Sequence, residues 1–328
     1  MDKFKALRIR EQNKKTTSAI EEISLGELDP GEVVIKCAYS SVNYKDALAA
    51  TGTGKVIRRF PCIGGIDLSG KVVSSSDARF KKDDEVIVTS YDLGVARDGG
   101  FSEYARVPAA WVVPLPRGLN LCEAMAIGTA GYTAALAIHL LEQNDLKPDA
   151  GKVVVNGATG GVASLAIDML GNLGYKTTAI TGKDSEHEYL KQLGASEVLR
   201  RASLEMGARP LEKTLWAAAF DSVGGDQLAW LTRTMQQNGL IASFGNAGGI
   251  ELKTTVLPFI LRGVRLIGVD SGYTAMPLRK KIWDRLATDL KPRHLPSIAH
   301  TIRLEDLPRV FDMLLKSSMR GRAVVQYD

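Results

Sequence analysis

Residues 153–163 read VVVNGATGGVA, and this stretch decides the fold. Val153, Val154 and Val155 form a continuous apolar run, as expected of a parallel strand that is buried on both faces. Glycines follow at once, and the apolar residues after them recur at helical spacing up to Gly174, where a helix C-cap belongs. The stretch therefore predicts a strand, a glycine turn and a helix.

The glycine turn predicts a site for the pyrophosphate of a dinucleotide. Such a group needs a tight turn, close backbone approach and the free N–H groups of a helix N-terminus. In the register of G-x-G-x-x-G the chain offers Ala158, Gly160 and Ala163, a weak match that gains strength from the strand before it and the helix after it. Thr159, Gly160 and Gly161 are therefore predicted to bind the cofactor. The alternative is an ordinary glycine turn.

The alternation continues outward from this stretch. Strands are predicted over 176–181, 197–199, 215–223, 240–244 and 264–270, and helices over 185–193 and 227–237. Strands alternating with helices of this length indicate a doubly wound parallel sheet, the Rossmann type of α/β fold. Before Gly151, short apolar stretches separated by Gly, Pro and Asp have the spacing of a β-barrel. The tail after residue 273 mixes helix and strand.

The residues at the end of the predicted strand 176–181 discriminate NADP from NAD. An acidic residue there would hold the ribose 2′-OH and repel a 2′-phosphate. Thr181 and Lys183 stand there instead, and Arg201 follows the third strand, so NADP(H) is the predicted cofactor. Asp184 argues against this, although it also suits a helix cap. For Lys183, a plain surface lysine is the alternative. Asn246, in a loop after a later strand, is predicted to lie under the nicotinamide ribose, and a loop without a ligand is the alternative.

Composition excludes several classes of protein. The 328 residues include 42 Lys and Arg against 37 Asp and Glu, a formal charge of +5, but the two signs are interleaved and predict no nucleic-acid partner. Cys37, Cys62 and Cys122 lie too far apart for a disulfide framework or a sequence-obvious zinc site. The uncharged run 124–141 is interrupted by glycine and threonine, which predicts a buried, broken helix and no membrane segment. The charged N-terminus lacks a signal-peptide core, so we expect a cytoplasmic protein.

With these features assembled, the chain resembles the zinc-independent branch of the medium-chain dehydrogenase/reductase superfamily, and within it the acryloyl-CoA reductase and YhdH/YhfP-type quinone oxidoreductase family. The stretches that carry the resemblance are 41–46 (SVNYKD), 128–134 (GTAGYTA), the glycine turn, 190–195 (LKQLGA), 257–262 (LPFILR) and 268–271 (GVDS). One departure is Ala163, where the family usually has glycine.

The resemblance implies an architecture and a partner. A GroES-like β-barrel catalytic domain is expected over 1–122 and 273–328, with a Rossmann NADP-binding domain inserted over 123–272. Homodimers are expected. Zinc-dependent relatives carry Gly-His-Glu where this chain has Gly65, Ile66 and Asp67, and isoleucine cannot bind zinc. No metal is therefore expected.

The resemblance also implies which residues contact the cofactor. They are Tyr44, Ala163, Ser164, Leu165, Ala166, Ser185, Glu186, His187, Arg201, Asn246, Ile260, Ser271 and Ser317.

The reaction expected from the resemblance is hydride transfer from NADPH to the C=C bond of an α,β-unsaturated carbonyl compound. Without zinc, the carbonyl oxygen needs hydrogen-bond donors. Tyr44 is the best candidate, Asn43 offers an amide N–H, and Asp46 would orient either neighbour. A purely stacking role for Tyr44 is the alternative.

The acceptor stays open between an enoyl-CoA, a free enone and a quinone. Lys55, Arg58 and Arg59 are candidate partners for the phosphates of a CoA thioester. From another functional class, a non-catalytic NADPH-binding protein with a structural or redox-sensing role is the alternative. A zinc alcohol dehydrogenase conflicts with Ile66.

Overall fold

The computed structural model describes residues 3–328, which divide into two compact units. The first unit comprises the residues up to 129, 272–287 and 295–328, and the second comprises 130–271 and 288–294. The domain limits expected from the resemblance stay a prediction.

The strands, numbered in chain order, are β1 (Phe4–Gln12), β2 (Lys15–Ile23), β3 (Val33–Ser41), β4 (Cys62–Ile63), β5 (Asp67–Ser75), β6 (Glu85–Thr89), β7 (Tyr104–Val107), β8 (Val113–Pro114), β9 (Lys152–Val155), β10 (Lys176–Thr181), β11 (Ala195–Arg200), β12 (Trp216–Asp221), β13 (Met235–Ser243), β14 (Arg265–Gly268), β15 (Ala299–Ile302) and β16 (Arg322–Gln326).

The α-helices are α1 (Tyr44–Thr51), α2 (Leu121–Glu142), α3 (Gly161–Asn172), α4 (His187–Gln192), α5 (Gly225–Thr234), α6 (Leu257–Arg262), α7 (Met276–Leu286), α8 (Leu295–Ile298) and α9 (Leu307–Leu315).

The first unit is built on a seven-stranded sheet in which β15, β16, β3, β5, β6 and β8 lie side by side and β7 pairs with β3. All of these pairings are antiparallel except that of β15 with β16. A smaller sheet joins β2, β1 and β4. The buried core includes Ile35, Leu68, Val88 and Phe101, which are fully buried. The tail thus returns to the first unit, as expected, because β16 pairs with β3.

The second unit is a six-stranded parallel sheet in the order β11-β10-β9-β12-β13-β14. This is the strand order of a Rossmann fold, in which the chain reverses direction across the sheet between its first and fourth strands, here β9 and β12. Ligands of such sheets bind beyond the carboxyl ends of the strands at that point. The doubly wound parallel sheet predicted from the sequence is confirmed.

Two elements differ from the sequence prediction. The predicted helix 227–237 ends at Thr234, because Met235 already pairs with Trp216 as the first residue of β13. The charged segments at the N-terminus form β1 and β2, in which apolar side chains such as Leu7 and Ile9 are buried. Most charged side chains of these two strands stay exposed, but Arg8 is buried. The charged residues interrupt the apolar pattern, so the two strands were not predicted.

Helix α2 is broken at Gly128, whose backbone is not helical (φ 50°, ψ −159°). Within residues 3–328 it is the one helix long and apolar enough to cross a membrane, and 89% of its most apolar window is buried inside the protein. The prediction of a buried, interrupted helix is confirmed.

Candidate active site

The glycine turn between β9 and α3 presents the N-terminus of a helix. Gly157 has a positive φ of 58°, and a Cβ there would collide with Ser222 Oγ, so glycine is required. The amide of Gly160 donates to the carbonyl of Gly157 at 2.9 Å and closes the turn. The helical hydrogen bonds begin with Ser164 N–H donating to Gly160, so the three N–H groups of residues 161–163 are available to an anion.

A buried hydrogen-bond network ties this turn to the loop after β12. Asn156 donates from Nδ2 to Asp221 Oδ1 at 2.6 Å, and Ser222 N–H donates to Asn156 Oδ1 at 2.8 Å. Both Asn156 and Asp221 are buried, and Asp221 also accepts from the amide of Gly224 at 3.1 Å. The pair fixes two loops at the point where the strand order reverses. Sequence reasoning missed this pair, although Asn156 directly follows β9 and Asp221 ends β12, the strand beside it in the sheet.

The loop after β13 packs against the same region. Gly248 N–H donates to the carbonyl of Val223 at 2.7 Å. Gly224 and Gly249 form an isolated parallel β-bridge. Asn246 is exposed on this loop. The carboxyl ends of β9, β12 and β13 are thus brought together, as the alternation of strands and helices predicted.

The candidate 2′-phosphate site lies at the ends of β10 and β11. Thr181 is buried and accepts from the amide of Lys183 at 3.0 Å. The guanidinium of Arg201 lies beside Gly182, since a Cβ on Gly182 would stand 3.1 Å from Arg201 Nη2. Asp184, the counter-argument in the sequence, is paired with Arg200 at 3.2 Å. The local charge therefore favours an anion.

In the first unit, the segment before α1 places Tyr44 at the first position of the helix. The Tyr44 side chain is 44% exposed and makes no hydrogen bond to residues 3–328. Asp46 is buried and accepts from the backbone amides of Asn43 at 2.8 Å and Ile66 at 3.1 Å. Burial, and then the charge of Asp67, raises the pKa of Asp46 to about 7. Asp46 therefore orients this segment through the backbone.

The amide of Asn43 is committed to protein partners. Its Nδ2 donates to Asp67 Oδ2 at 2.9 Å and to the Ser41 carbonyl at 3.4 Å, and its Oδ1 accepts from Arg322 at 2.9 Å. Little of this amide is left for a substrate. The donor role of Asn43 stays a prediction, and the Tyr44 phenol is the candidate donor that has no hydrogen bond within residues 3–328.

Two family models match the chain. The alcohol dehydrogenase GroES-like domain matches residues 29–117, and the zinc-binding dehydrogenase model matches residues 161–288. Relatives that are 48% and 43% identical over nearly the whole chain decide the family. The chain belongs to the medium-chain dehydrogenase/reductase family. The predicted combination of a GroES-like domain with a Rossmann sheet is confirmed.

Three relatives are similar over nearly the whole length of this medium-chain dehydrogenase/reductase. YhfP of Bacillus subtilis, named as a quinone oxidoreductase, is 48% identical, with 98% of each chain covered. Its structure with NAD bound has a TM-score of 0.97 at 47% identity and covers 100% of both chains. The acrylyl-CoA reductase AcuI of Ruegeria pomeroyi is 43% identical over 96% of each chain. The yhdH oxidoreductase of Salmonella enterica in complex with NADP has a TM-score of 0.96 at 45% identity, covering 99% of this chain and 100% of its own.

The remaining residues predicted to contact the cofactor form two groups along the chain and three single positions. The side chains of Ala163, Ser164, Leu165 and Ala166 are buried in α3, so contacts there would be through the backbone at the start of the helix. Ser185, Glu186 and His187 follow the end of β10.

The three single residues lie far apart in the sequence. Ile260 is 68% exposed on α6, and Ser271 accepts from Thr133 Oγ1 at 2.7 Å. Ser317 lies two residues after the end of α9 and has a φ of 53°. The cofactor roles of all these residues stay predictions.

Zinc does not fit the residues of this medium-chain dehydrogenase/reductase. Across residues 3–328 no group of three or more His, Cys, Asp or Glu side chains is placed to hold a metal. Ile66 is buried at the position where the resemblance puts a histidine ligand, and Asp67 is already held by protein donors. That the enzyme carries no metal stays a prediction.

Proposed function

We propose that this protein is an NADPH-dependent reductase of the C=C bond of an α,β-unsaturated carbonyl compound such as acryloyl-CoA, acting without zinc. The observation that carries the proposal is the set of free helix N–H groups and the Arg201 guanidinium on the Rossmann sheet, together with the free phenol of Tyr44. An acrylyl-CoA reductase and an NADP complex among the relatives support it.

The residues present fit NADPH. The N–H groups at the start of α3 would hold the pyrophosphate, and Arg201 with Lys183 would hold the 2′-phosphate by charge-assisted hydrogen bonds. NADPH, when bound, supplies a hydride.

The chain's own contribution to the reaction is a hydrogen bond. As the β-carbon of the acceptor is reduced, negative charge develops on its carbonyl oxygen, and a proton must reach the α-carbon. Tyr44 would donate from its phenol to that oxygen, which is worth a few kcal/mol in a site shielded from water. Asn43 and Asp46 would hold the start of α1 in place.

Lys55, Arg58 and Arg59, the candidate partners for the phosphates of CoA, do not identify the acceptor. Arg58 is bound to Asp92 at 3.2 Å and to the Tyr273 hydroxyl at 2.7 Å. Arg59 is bound to Asp29. Lys55 alone of the three has no ion pair within residues 3–328. This favours keeping a quinone as the second candidate acceptor, in line with the name of YhfP.

A panel of acceptors at fixed NADPH tests the proposal. We expect NADPH oxidation with acryloyl-CoA and with a simple enone. The loss of NADPH absorbance measures this oxidation. Oxidation with 1,2-naphthoquinone alone would favour the quinone reductase. Tight NADPH binding without turnover of any acceptor would favour the non-catalytic binding protein. Zinc found by elemental analysis would reopen the alcohol dehydrogenase.

A homodimer is part of the proposal. Strand β14 forms an edge of the parallel sheet, so one row of its backbone N–H and C=O groups has no strand partner among residues 3–328. Leu266, in β14, is 36% exposed, and Leu261, in α6, is 57% exposed. A second copy pairing along β14 would cover both features. We expect dimers in sedimentation equilibrium and monomers for Leu261→Lys; a monomeric wild-type protein would contradict this.

We also place the protein in the cytoplasm. Cys37 and Cys62 are buried free thiols, and Cys122 is a partly buried free thiol. Unpaired cysteines fit a reducing compartment. Fractionation of the native cell tests this placement.

A further inference from the structure

Asp67 is a buried carboxylate at the start of β5 that is surrounded by donors. Its Oδ2 accepts from Ser41 Oγ at 2.5 Å, from Asn43 Nδ2 at 2.9 Å and from the amide of Thr129 at 2.9 Å. Its Oδ1 accepts from Thr129 Oγ1 at 2.5 Å. Asp67 is 0% exposed, so these protein donors replace all of its water.

Arg322, at the start of β16, is the cation of this cluster and is 3% exposed. It donates to the Val42 carbonyl at 3.0 Å and to Asn43 Oδ1 at 2.9 Å. Its Nη2 donates to Ser41 Oγ at 2.8 Å and lies 3.9 Å from Asp67 Oδ2. The Ser41 hydroxyl therefore bridges the two charges, accepting from one and donating to the other.

The charge pair decides which way the Asn43 amide points. Its oxygen faces the guanidinium of Arg322 and its nitrogen faces the carboxylate of Asp67. A flip by 180° would set the NH₂ against a cation and the oxygen against an anion. Because both charges are buried, the flip is strongly disfavoured.

Tyr44 follows Asn43 directly and begins α1. Asn43 is held on one side by Asp67 and on the other by Arg322. The backbone of Tyr44 therefore cannot shift far without breaking these buried hydrogen bonds to charged groups. Such bonds are costly to break, because the group left behind stays desolvated and without a partner. The phenol itself makes no hydrogen bond within residues 3–328, so its direction depends on this support.

We propose that Asp67 and Arg322 are positioning residues for Tyr44, a role that rests on the proposed function. The two charges hold the Asn43 amide in one orientation, and this amide holds the first turn of α1 so that the phenol meets the carbonyl oxygen of the acceptor. Neither charge touches the substrate.

A double-mutant cycle tests the proposal. We expect Asp67→Asn to lower kcat about 10²-fold, the loss associated with misplacement of about 1 Å, with the KM for NADPH unchanged. Tyr44→Phe should lower kcat as well. Because Asp67 acts through the phenol, Asp67→Asn should cost little further in the Tyr44→Phe background. Additive losses would overturn the positioning role, since a general structural defect would act in both backgrounds.

Two further variants keep the test decisive. Ser41→Ala removes only the bridging hydroxyl and should show a smaller loss of the same kind, which carries the test should Asp67→Asn fail to fold. Asp98→Asn is the matched control, because Asp98 is also buried in the first unit and accepts from the amides of Asp29 at 3.1 Å and Ile63 at 3.0 Å. We expect Asp98→Asn to lower the melting temperature and leave kcat unchanged.

A crystal structure of Asp67→Asn separates this proposal from the proposed function. We expect altered conformations of the Asn43 and Tyr44 side chains relative to the wild-type protein. Unchanged side chains would overturn the positioning role even where the reductase activity is established. Absence of any reductase activity in the wild-type protein would overturn the proposed function while the crystal structure still reports on positioning.

Discussion

The guanidinium of Arg201 lies beside the Cα of Gly182, close enough that a Cβ on Gly182 would stand 3.1 Å from Arg201 Nη2. The two residues directly follow β11 and β10, which pair in parallel with Thr181 opposite Arg200. A positive charge is thus held at the carboxyl end of β10, where a Rossmann sheet meets the adenosine ribose.

Replacing Arg201 with alanine should weaken NADPH binding selectively. A charge-assisted hydrogen bond contributes about 1.5 to 3 kcal/mol, so Arg201→Ala should raise the KM for NADPH roughly 10- to 100-fold. The KM for NADH should stay unchanged, because NADH has no 2′-phosphate. Steady-state kinetics with both cofactors measures the two effects.

Arg209→Ala is the matched control for this prediction. Arg209 also carries a positive charge in the second unit, but its Nη2 is paired with Glu212 at 2.6 Å. We expect little change in either KM. An equal loss in both variants would show that net positive charge, not the placement of Arg201, attracts the cofactor.

The phenol of Tyr44 should matter for turnover and not for cofactor binding. Tyr44→Phe keeps the ring and removes the donor, so kcat should fall about 10²-fold while the KM for NADPH is unchanged. Tyr104→Phe serves as the control, since Tyr104 packs against Phe4 with ring centroids 5.2 Å apart. Unchanged turnover in Tyr44→Phe would leave only the stacking role.

Much of the Rossmann half of the fold could be predicted from the sequence because its central strands are buried on both faces and because Gly174 and Gly194 follow α3 and α4. Strand β10 was predicted to the residue, over 176–181. Strands β1 and β2 were missed because they are half exposed, so charged residues interrupt their apolar pattern.

The candidate site was predictable where a motif lies in one stretch of chain and not where it is assembled from distant strands. Asn43 and Tyr44 stood out in the sequence. Arg322 is 279 positions from Asn43 and reaches it only because β16 pairs with β3. Asp67 was noted only as a replaced zinc ligand, since no local pattern shows that Thr129 will turn toward it.

The stability of the protein should depend on pH through Asp46. Burial and the charge of Asp67 raise its pKa from 3.8 to about 7, so between these pH values the folded state holds a proton that the unfolded state has lost. The contribution of Asp46 to stability is therefore complete below about pH 4 and is lost as the pH rises toward 7. The difference in unfolding free energy between wild-type protein and Asp46→Asn should fall by about 1.4 kcal/mol per pH unit over that window.

Urea unfolding at pH 5, 6, 7 and 8 measures this difference. Asp77→Asn is a control of opposite sign, because Arg79 lowers the pKa of Asp77 to about 2 and its contribution is already complete above pH 4. Its difference from wild type should be flat from pH 5 to 8. A flat difference for Asp46→Asn as well would show that Asp46 is ionised throughout.

Gly128 should tolerate no side chain, both because of its backbone conformation and because of the side chains packed against it. Its φ of 50° strains any L-residue, and a Cβ there would also stand 2.6 Å from Arg322 Nη2 and 2.8 Å from Asp67 Oδ2. Gly174 has a similarly positive φ of 82°, but a Cβ there meets nothing within 4 Å. Gly174→Ala should therefore cost only the left-handed backbone strain, about 1 to 2 kcal/mol.

Gly128→Ala should cost more than Gly174→Ala, because the added methyl group must also push the buried charges apart. Separating buried partners leaves each without its hydrogen bonds, at a cost of about 3 to 5 kcal/mol. Chemical unfolding of the two variants under one condition gives both values. Equal losses would mean that the Asp67 and Arg322 side chains move aside freely, which contradicts a rigid support for Tyr44.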